Sequence, residues 1–313
     1  MYSFITEIIQ IIIVLLFAPI FVGWIRCLKC WAQGRSAPGL LQPLRDIVKL
    51  FGKDIILAEN ASWIFRFTPY LVFGVCILAG AIIPILFKDL PLCATADVIA
   101  LVALFALARF FTALAGMDTG TAFGGMGSSR EMMIASLAEP AMLMAIFTVS
   151  LLSQSTSLSQ MTQVIIQQNL LIRPSMAFAM VAFILIAIAE TGRIPVDNPA
   201  THLELTMIHE AMILEYSGRH LALMEWASML KLFLFTTIGI AIFFPWGIAS
   251  SDSIIDVLPA IISLIIKLSI VGIGIVLIET GLAKMKIFRV PEFLGIAFLF
   301  ATLGMLSYFI LEK

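Results

Sequence analysis

Long apolar runs alternate with short polar stretches along most of this chain. A transmembrane helix needs about 20 mostly apolar residues to cross the hydrocarbon layer of a bilayer. Eight runs come close to or exceed that length, at about 4–25, 67–87, 97–116, 131–152, 174–191, 227–248, 256–280 and 291–311. The pattern predicts an all-α, polytopic membrane protein with eight transmembrane helices, organised as a single membrane domain over residues 1–313.

The composition excludes several other classes of protein. Apolar residues make up 61% of the 313 residues and charged residues only 12%, against about 45–50% and about 25% in soluble globular domains. Polar surface this sparse excludes a soluble enzyme, a nucleic-acid-binding protein and a disordered chain. The surroundings that we expect are the lipid bilayer and other membrane proteins, with no nucleic acid among the partners.

Basic residues define the expected orientation. Lys and Arg concentrate on the cytoplasmic side of membrane proteins. With the N-terminus outside, the inward side holds Arg26, Lys29, Arg35, Arg45, Lys49, Lys53, Arg66, Arg109, Arg130, Arg193, Arg219, Lys284, Lys286 and Arg289, and the outward side holds Lys88, Arg173 and Lys313. This asymmetry predicts that both termini lie outside and that the cytoplasmic loops cover 26–66, 116–131 and 190–226.

The first of these loops contains a turn and then an amphipathic pattern. Residues 34–43 include two prolines and two glycines, which is typical of a shaped turn. The apolar positions that follow are Leu44, Ile47, Val48, Leu50 and Phe51, and the polar positions opposite them are Arg45, Asp46, Lys49 and Lys53. This spacing predicts a helix lying in the membrane interface, either as a surface anchor or as the wall of a cavity.

The second loop is rich in glycine but lacks the other features of a nucleotide site. Residues 116–130 contain five glycines without the Lys-Ser/Thr ending of a phosphate-binding loop, and they follow an apolar helix rather than a strand. We expect Ser128 or Ser129 to cap the next helix, with Glu131 in its first turn.

Glu139 is an acid inside the fourth apolar run, directly before Pro140. If that helix begins near Arg130, Glu139 lies roughly 13 Å along its axis. A carboxylate at such a depth must be paired, protonated or in contact with water. The sequence leaves two interpretations open, a proton relay and a structural acid bonded to a neighbouring helix.

The third loop is the richest in titratable groups. Pro195 and Pro199 break the helix as it leaves the membrane, and a short helix is predicted over about 200–216. On that helix Glu204 and Glu215 share a face, as do His202 and His209. We expect these groups to line a cavity together with Glu190 and Asp197, whereas Glu210 and Arg219 are expected to face solvent.

Metal and redox patterns are incomplete in this sequence. His209-Glu210 begins a zinc-protease motif, but Ile213 stands where the second histidine is required. Cys27-x-x-Cys30 has no second pair, so a metal or iron–sulfur cluster is not expected in this chain.

Two lysines lie within apolar runs. Lys231 is expected to extend to the membrane interface, with Glu225 as an alternative partner, and Lys267 needs an acid such as Glu279, a carbonyl or water.

Two of the loop motifs resemble those of a known family. The run Pro38-Gly39-Leu40-Leu41-Gln42-Pro43, followed by Asp46-Ile-Val-Lys49-Leu50, resembles the first cytoplasmic loop of the H subunit (subunit 1) of respiratory complex I. Ala189-Glu190-Thr191-x-Arg193-x-Pro195-x-Asp197 and the later Glu215-Tyr216-Ser217-Gly218 resemble the same subunit. That subunit also occurs in group 4 [NiFe]-hydrogenases, including formate hydrogenlyase and hydrogenase 4, and the resemblance covers nearly the whole chain.

The resemblance implies a membrane anchor that couples electron transfer in a docked peripheral arm to proton translocation. The implied proton path comprises Glu139, Glu190, Asp197, His202, Glu204 and Glu215. The implied cavity or docking loop comprises Arg35, Pro38, Gly39, Gln42, Pro43, Asp46, Lys49 and Arg193. The implied partners are hydrogenase-like or dehydrogenase-like subunits, which hold the iron–sulfur clusters and a nickel–iron centre, and antiporter-like membrane subunits, in the cytoplasmic (inner) membrane of a bacterium or archaeon.

Departures from the family pattern favour its hydrogenase branch. The first loop is shorter than in quinone-reducing members, and the usual Pro-Glu-Ala-Glu-Ser-Glu run is replaced by Pro199-Ala-Thr-His202-Leu-Glu204. Two alternatives stay open: a quinone-binding subunit of an NADH:quinone oxidoreductase, and a stand-alone proton or cation transporter.

Overall fold

The apolar runs form helices throughout the part of the chain that the structure describes. The structure is a computed structural model and describes residues 2–87, 97–168, 173–197, 207–248 and 257–312. Its α-helices are α1 (Tyr2–Ala32), α2 (Gln42–Phe51), α3 (Trp63–Ile82), α4 (Val98–Asp118), α5 (Ala122–Ser153), α6 (Leu158–Gln168), α7 (Pro174–Glu190), α8 (His209–Ile213), α9 (Gly218–Phe243), α10 (Val257–Gly281) and α11 (Val290–Ser307). A 3₁₀ turn, Ile287–Arg289, precedes α11, and a π-helical turn, Tyr308–Glu312, follows it. These residues contain no β-strand, which confirms the all-α prediction.

Seven helices of the described chain are long and apolar enough to cross a membrane. They are α1, α3, α4, α5, α9, α10 and the segment Ile287–Glu312 that contains α11. The apolar run predicted at 174–191 forms α7, which has 17 residues and is shorter than the others. The chain is therefore a polytopic membrane protein.

α9 lies at the centre of the helix bundle. Of its most apolar 18-residue window, 72% is buried, against 22% for α10. α9 packs on α1, α2, α3 and α7, whereas α10 packs mainly on α1, and α11 packs on α5 and α7. Phe233 of α9 and Phe65 of α3 are fully buried. α10 is consequently a peripheral helix.

Glycines allow α4 and α5 to approach each other at the junction between them. α4 ends at Asp118 and α5 begins at Ala122, where the Thr121 hydroxyl accepts a hydrogen bond from the Gly124 amide at 3.2 Å. The expectation that Ser128 or Ser129 caps this helix is wrong, because the Ser128 hydroxyl instead donates to the Ala113 carbonyl at 2.8 Å across the helix pair. Most of the predicted loop 116–131 is therefore helical.

Substituting Gly124 with alanine is expected to lower the free energy of unfolding by about 1–3 kcal/mol. A methyl group on Gly124 would clash with the Gly116 carbonyl oxygen, so the two helices would have to separate. Thermal unfolding of the detergent-solubilised protein measures this effect. Gly125→Ala is the matched control because a methyl group there meets open space; equal stability of the two variants would contradict the account of this contact.

Candidate functional site

Charged side chains from four helices meet inside the bundle around Arg109 of α4. Arg109 Nε lies 3.1 Å from a Glu131 carboxylate oxygen, and Nη1 lies 3.8 Å from Glu139, both on α5. Its Nη2 forms an ion pair with Glu190, the last residue of α7. The Arg109 side chain is only 3% exposed. A guanidinium carries its donors in a planar fork, and here that fork contacts three carboxylates at once.

Lys231 of α9 completes this arrangement, the Arg109 cluster, which comprises Arg109, Glu131, Glu139, Glu190 and Lys231. The Lys231 ammonium lies 3.1 Å from the Glu190 oxygen that also contacts Arg109. The prediction that Lys231 extends to the interface or pairs with Glu225 is therefore wrong. α7 has only 17 residues, and its last residue, Glu190, lies beside the middle of α9. The Glu190 carboxylate is therefore within reach of Lys231.

The charges of the Arg109 cluster do not balance when every member is ionised. Two cations face three carboxylates, which leaves one negative charge in excess. An uncompensated charge in an apolar interior is costly. One proton on any of the three carboxylates makes the cluster neutral. This composition suits a site that takes up and releases a proton.

Glu139 connects the cluster to the lateral surface of the bundle. Its side chain is 35% exposed, and the shallow pocket beside it is lined by Ala106, Leu107 and Phe110 of α4 and Met132 of α5. Because α5 begins at Ala122, Glu139 lies about 26 Å from the start of the helix rather than about 13 Å. It is near the middle of a 32-residue helix, so this carboxylate faces sideways at a depth where lipid or another membrane protein surrounds the chain.

A cavity of about 410 Å³ adjoins the cluster. Four members of the cluster line it, namely Arg109, Glu131, Glu190 and Lys231. The wall also contains the Cys76 thiol, one histidine and five further charged residues, which are His209, Arg26, Arg193, Asp197, Glu210 and Glu225. Asp197 and Glu190 lie in the cavity as expected, whereas Glu210, which was expected to face solvent, also lines it. The cavity therefore brings titratable groups of the third loop next to the buried ion cluster.

A second set of ion pairs joins the ends of three elements. Glu279 of α10 accepts from Lys29 of α1 at 2.7 Å and from Arg193, just beyond α7, at 2.9 Å. Asp197 pairs with Lys284 at 2.7 Å, and its other oxygen is 3.4 Å from the His209 amide nitrogen. These contacts fix the loop after α7 against α1 and α10, at the rim of the cavity.

The first-loop residues that the resemblance implies for a cavity or docking loop lie outside the cavity wall. Pro38 folds back on α1, where its carbonyl accepts from the Cys27 thiol at 3.0 Å. Gln42 donates to Asp46 at 2.9 Å, and Asp46 lies 3.8 Å from Arg26 of the cavity wall. Arg35, Gly39 and Lys49 are exposed, and Pro43, in the first turn of α2, is buried. Among the described residues α2 contributes none to the cavity wall, which favours the surface-anchor interpretation.

The Glu215-Tyr216-Ser217-Gly218 motif holds the first loop against the start of α9. Tyr216 stacks on Phe65 and donates its phenol proton to the Phe65 carbonyl at 3.0 Å. Burial raises the pKa of the Tyr216 phenol, so the phenol remains a donor throughout the ordinary pH range. The Ser217 hydroxyl bonds both the amide and the carbonyl of Ile56. Glu215 itself is exposed, so its expected place in the cavity is wrong.

Parts of the expected site lie outside the described residues. His202 and Glu204 belong to the segment 198–206, which lies outside the described residues. Of the predicted helix over about 200–216, residues 207–216 are described, and they are helical only in α8 (His209–Ile213).

Lys267 does not pair with Glu279, because Lys29 and Arg193 already bind the Glu279 carboxylate. The Lys267 ammonium instead donates to the backbone carbonyls of Phe244 (2.8 Å) and Trp246. Of the alternatives open to this lysine, carbonyl binding is the one adopted.

The described residues hold no group of three or more His, Cys, Asp or Glu side chains arranged to bind a metal ion. Cys27 and Cys30 are free thiols.

The sequence interpretation missed the residue that organises the site. Arg109 was counted only for orientation, and Glu131 only as a residue of a helix first turn. The available signal was the position of Arg109 within the apolar run 97–116, since a charge inside a span requires a buried partner.

Comparison with known proteins identifies the family and its fold. Residues 6–310 match the family described as NADH dehydrogenase. Formate hydrogenlyase subunit 4 of Escherichia coli (strain K12) is 31% identical over 97% of this chain and 98% of its own length. Hydrogenase-4 component C of the same organism is 28% identical over 97% of this chain and 95% of its own length.

The fold is also similar to that of a solved structure. A chain of the membrane-bound sulfane sulfur reductase, an archaeal respiratory membrane complex, superposes with a TM-score of 0.81 at 20% identity. The match covers 98% of this chain and 100% of that one. At this identity the likeness concerns the fold alone.

Proposed function

The chain belongs to the NADH dehydrogenase family, and from that membership we propose that it is the membrane anchor and proton-path subunit of a complex I-like oxidoreductase of the group 4 hydrogenase type. The observation that carries the proposal is the Arg109 cluster, a buried set of three carboxylates and two cations beside a cavity with titratable walls. Two relatives that align over nearly the whole chain are hydrogenase-type membrane subunits by name, which supports the hydrogenase branch over a quinone-binding role.

The proposed topology has eight spans and both termini outside, in a single membrane domain covering residues 1–313. Support for the eighth span comes from α7, whose 17 residues reach the lower end of the length that crosses a bilayer. The ion pairs of Glu279 with Lys29 and Arg193 bring the ends of α1 and α10 together with the start of the loop after α7. The basic side chains of loops 26–66 and 190–226 then share one face, the cytoplasmic face of the inner membrane.

Proton uptake starts in the cavity. Electron transfer in a peripheral arm docked over the loops adds negative charge near the cavity, and this charge favours proton binding by the carboxylates beneath it. Asp197 and Glu210 line the same cavity as Glu190, and in this proposal they pass the proton to it. Protonation of Glu190 neutralises the carboxylate that both Arg109 and Lys231 contact.

Arg109 transmits the loss of charge on Glu190 to Glu139. A guanidinium does not release its own proton under these conditions, so the signal passes through the arginine as a shift of charge. Before this step Glu139 holds the one proton that keeps the cluster neutral. When Glu190 takes up a proton from the cavity, Arg109 moves away from Glu190 toward Glu131 and Glu139, which lie 3.1 and 3.8 Å from it in the structure. The approaching guanidinium stabilises the ionised form of Glu139, which releases its proton at the lateral surface to an antiporter-like membrane subunit, while the proton on Glu190 keeps the cluster neutral.

The electron-carrying groups belong to partner subunits in this proposal. The peripheral hydrogenase-like subunits carry the iron–sulfur clusters and the nickel–iron centre, and this chain supplies no cofactor of its own. Its contribution is to hold the peripheral arm at the membrane and to link the charge of that arm to Glu139.

Affinity purification of the tagged chain from its native membrane tests the proposal. We expect co-purification of a large subunit whose two Cys-x-x-Cys pairs bind nickel, of iron–sulfur subunits and of antiporter-like subunits. Mass spectrometry and metal analysis identify them. Purification of the chain alone, with ion transport by that chain in liposomes, would establish a stand-alone transporter instead; a nickel-free complex that reduces quinone would establish the quinone-binding alternative.

A further inference from the structure

A long apolar groove opens between α7, α9 and α10. Its volume is about 260 Å³. Each helix contributes positions that repeat at helical spacing, and so presents one face. These faces comprise Met180, Phe183, Ile184, Ala187 and Ile188 of α7, Leu232, Phe235, Gly239, Ile240 and Phe243 of α9, and Val271, Gly274, Ile275 and Ile278 of α10.

The hydroxyl groups along the groove need no hydrogen-bond partner from an occupant. Two threonines line it, and both hydroxyls are already bonded within their own helices: Thr191 donates to the Ala187 carbonyl at 2.7 Å and Thr236 to the Leu232 carbonyl at 2.9 Å. From Leu232 to Phe243 the groove follows α9 for about 16 Å. That length is about half of the 30 Å hydrocarbon thickness of a bilayer, which is the reach of one leaflet.

One end of the groove is charged. Arg193 and Glu279 line that end, and Lys29 binds the second oxygen of Glu279 at 2.7 Å. Two cations thus share one carboxylate, which leaves a net positive charge at the mouth. Arg193 bonds Glu279 through Nη1 alone in the described structure, and the planar fork of a guanidinium matches the geometry of a phosphate.

We propose that this groove, the α7–α9–α10 groove, binds one phospholipid with an anionic headgroup. One acyl chain lies along the apolar faces of the three helices, and the phosphodiester contacts Arg193 at the charged mouth. The lipid fills the space that remains because α10 packs mainly on α1 rather than on α7. The groove contains no member of the Arg109 cluster, and it shares Thr191, Arg193 and Leu232 with the wall of the cavity. The proposal is tested by lipid retention, which does not require proton translocation.

Native mass spectrometry of the assembled complex tests the proposal after reconstitution in nanodiscs of phosphatidylcholine containing phosphatidylglycerol. We expect one phosphatidylglycerol per chain to survive removal of the bulk lipid. Gly274→Phe fills the groove from a position where a side chain meets open space, and it should lower the retained phosphatidylglycerol about tenfold or more. Gly295→Phe, also at a position with open space but on α11 outside the groove, should retain the lipid.

A second variant tests the charged mouth separately. Arg193→Gln should remove the preference for phosphatidylglycerol over phosphatidylcholine among the retained lipids. Equal retention of the two lipids by the unsubstituted complex, unchanged retention in Gly274→Phe, or recovery of a quinone in place of the phospholipid would each overturn the proposal.

Discussion

Replacing Arg109 with methionine is expected to remove about 3–5 kcal/mol of folding free energy and most of the assembled complex from the membrane. Methionine has a similar length but no charge, so Lys231 would remain as the sole cation facing the three carboxylates of the cluster. Two of these carboxylates would then lack a cation in a buried site. Removing one partner of a buried ion pair is costly because the other charge stays behind.

Blue-native electrophoresis of solubilised membranes measures the assembled fraction, and thermal unfolding measures stability. Arg66→Met is the matched control because Arg66 is an exposed arginine on α3. Arg109→Lys is expected to fall between the two, since a lysine keeps the charge but loses the planar fork that contacts three carboxylates. Normal assembly and stability of Arg109→Met would mean that Arg109 does not hold the cluster together.

Replacing Glu139 with glutamine is expected to abolish coupled proton translocation while the complex assembles normally. Glutamine has nearly the same shape but cannot bind and release a proton, and it leaves two cations facing two carboxylates in a balanced cluster. Assembly should persist because Glu139 is the member of the cluster farthest from its cation, at 3.8 Å, and its side chain is 35% exposed.

Glu292→Gln provides the control for the loss of a carboxylate as such. Glu292 lies in the first turn of α11 and is exposed. This variant should translocate protons like the unsubstituted complex. A loss of translocation in both variants would assign the effect of Glu139→Gln to something other than its position in the cluster.

Helix positions were largely predictable from sequence because the tendency of a segment to leave water depends on its own residues. The runs at 97–116 and 256–280 became α4 and α10 with ends shifted by only a few residues. Predictions failed where helices extended beyond their apolar part. α5 begins nine residues before its predicted start at residue 131, because Gly116 and Gly124 let polar and glycine-rich turns pack closely on α4.

The pairing of charges was not predictable in the same way. Glu190 was recognised as a candidate from its motif, and Glu139 from its depth, but nothing local to either residue connects them. Arg109 connects them only through the rotation and crossing of α4, α5 and α7, which depend on packing over the whole bundle. Lys231 shows the same limit, since an apolar neighbourhood alone does not distinguish a lysine that reaches the interface from one paired with a buried acid.

The Glu215 motif illustrates a different source of error. Glu215 was expected to line the cavity with the other acids of the third loop, yet it is exposed, and its neighbours Tyr216 and Ser217 hold residues 56 and 65 in place. Its place on the implied proton path stays a prediction. The motif has a structural role in this chain that the residue types themselves indicate, because a buried phenol and a serine hydroxyl bind backbone groups well.

The number of protons moved per electron pair is the most direct measure of whether the Arg109 cluster couples the two processes. It is measured in proteoliposomes of the assembled complex by following internal pH and electron transfer together. The account predicts that Glu139→Gln transfers electrons but moves no protons, with a ratio near zero. An unchanged ratio in Glu139→Gln would contradict it.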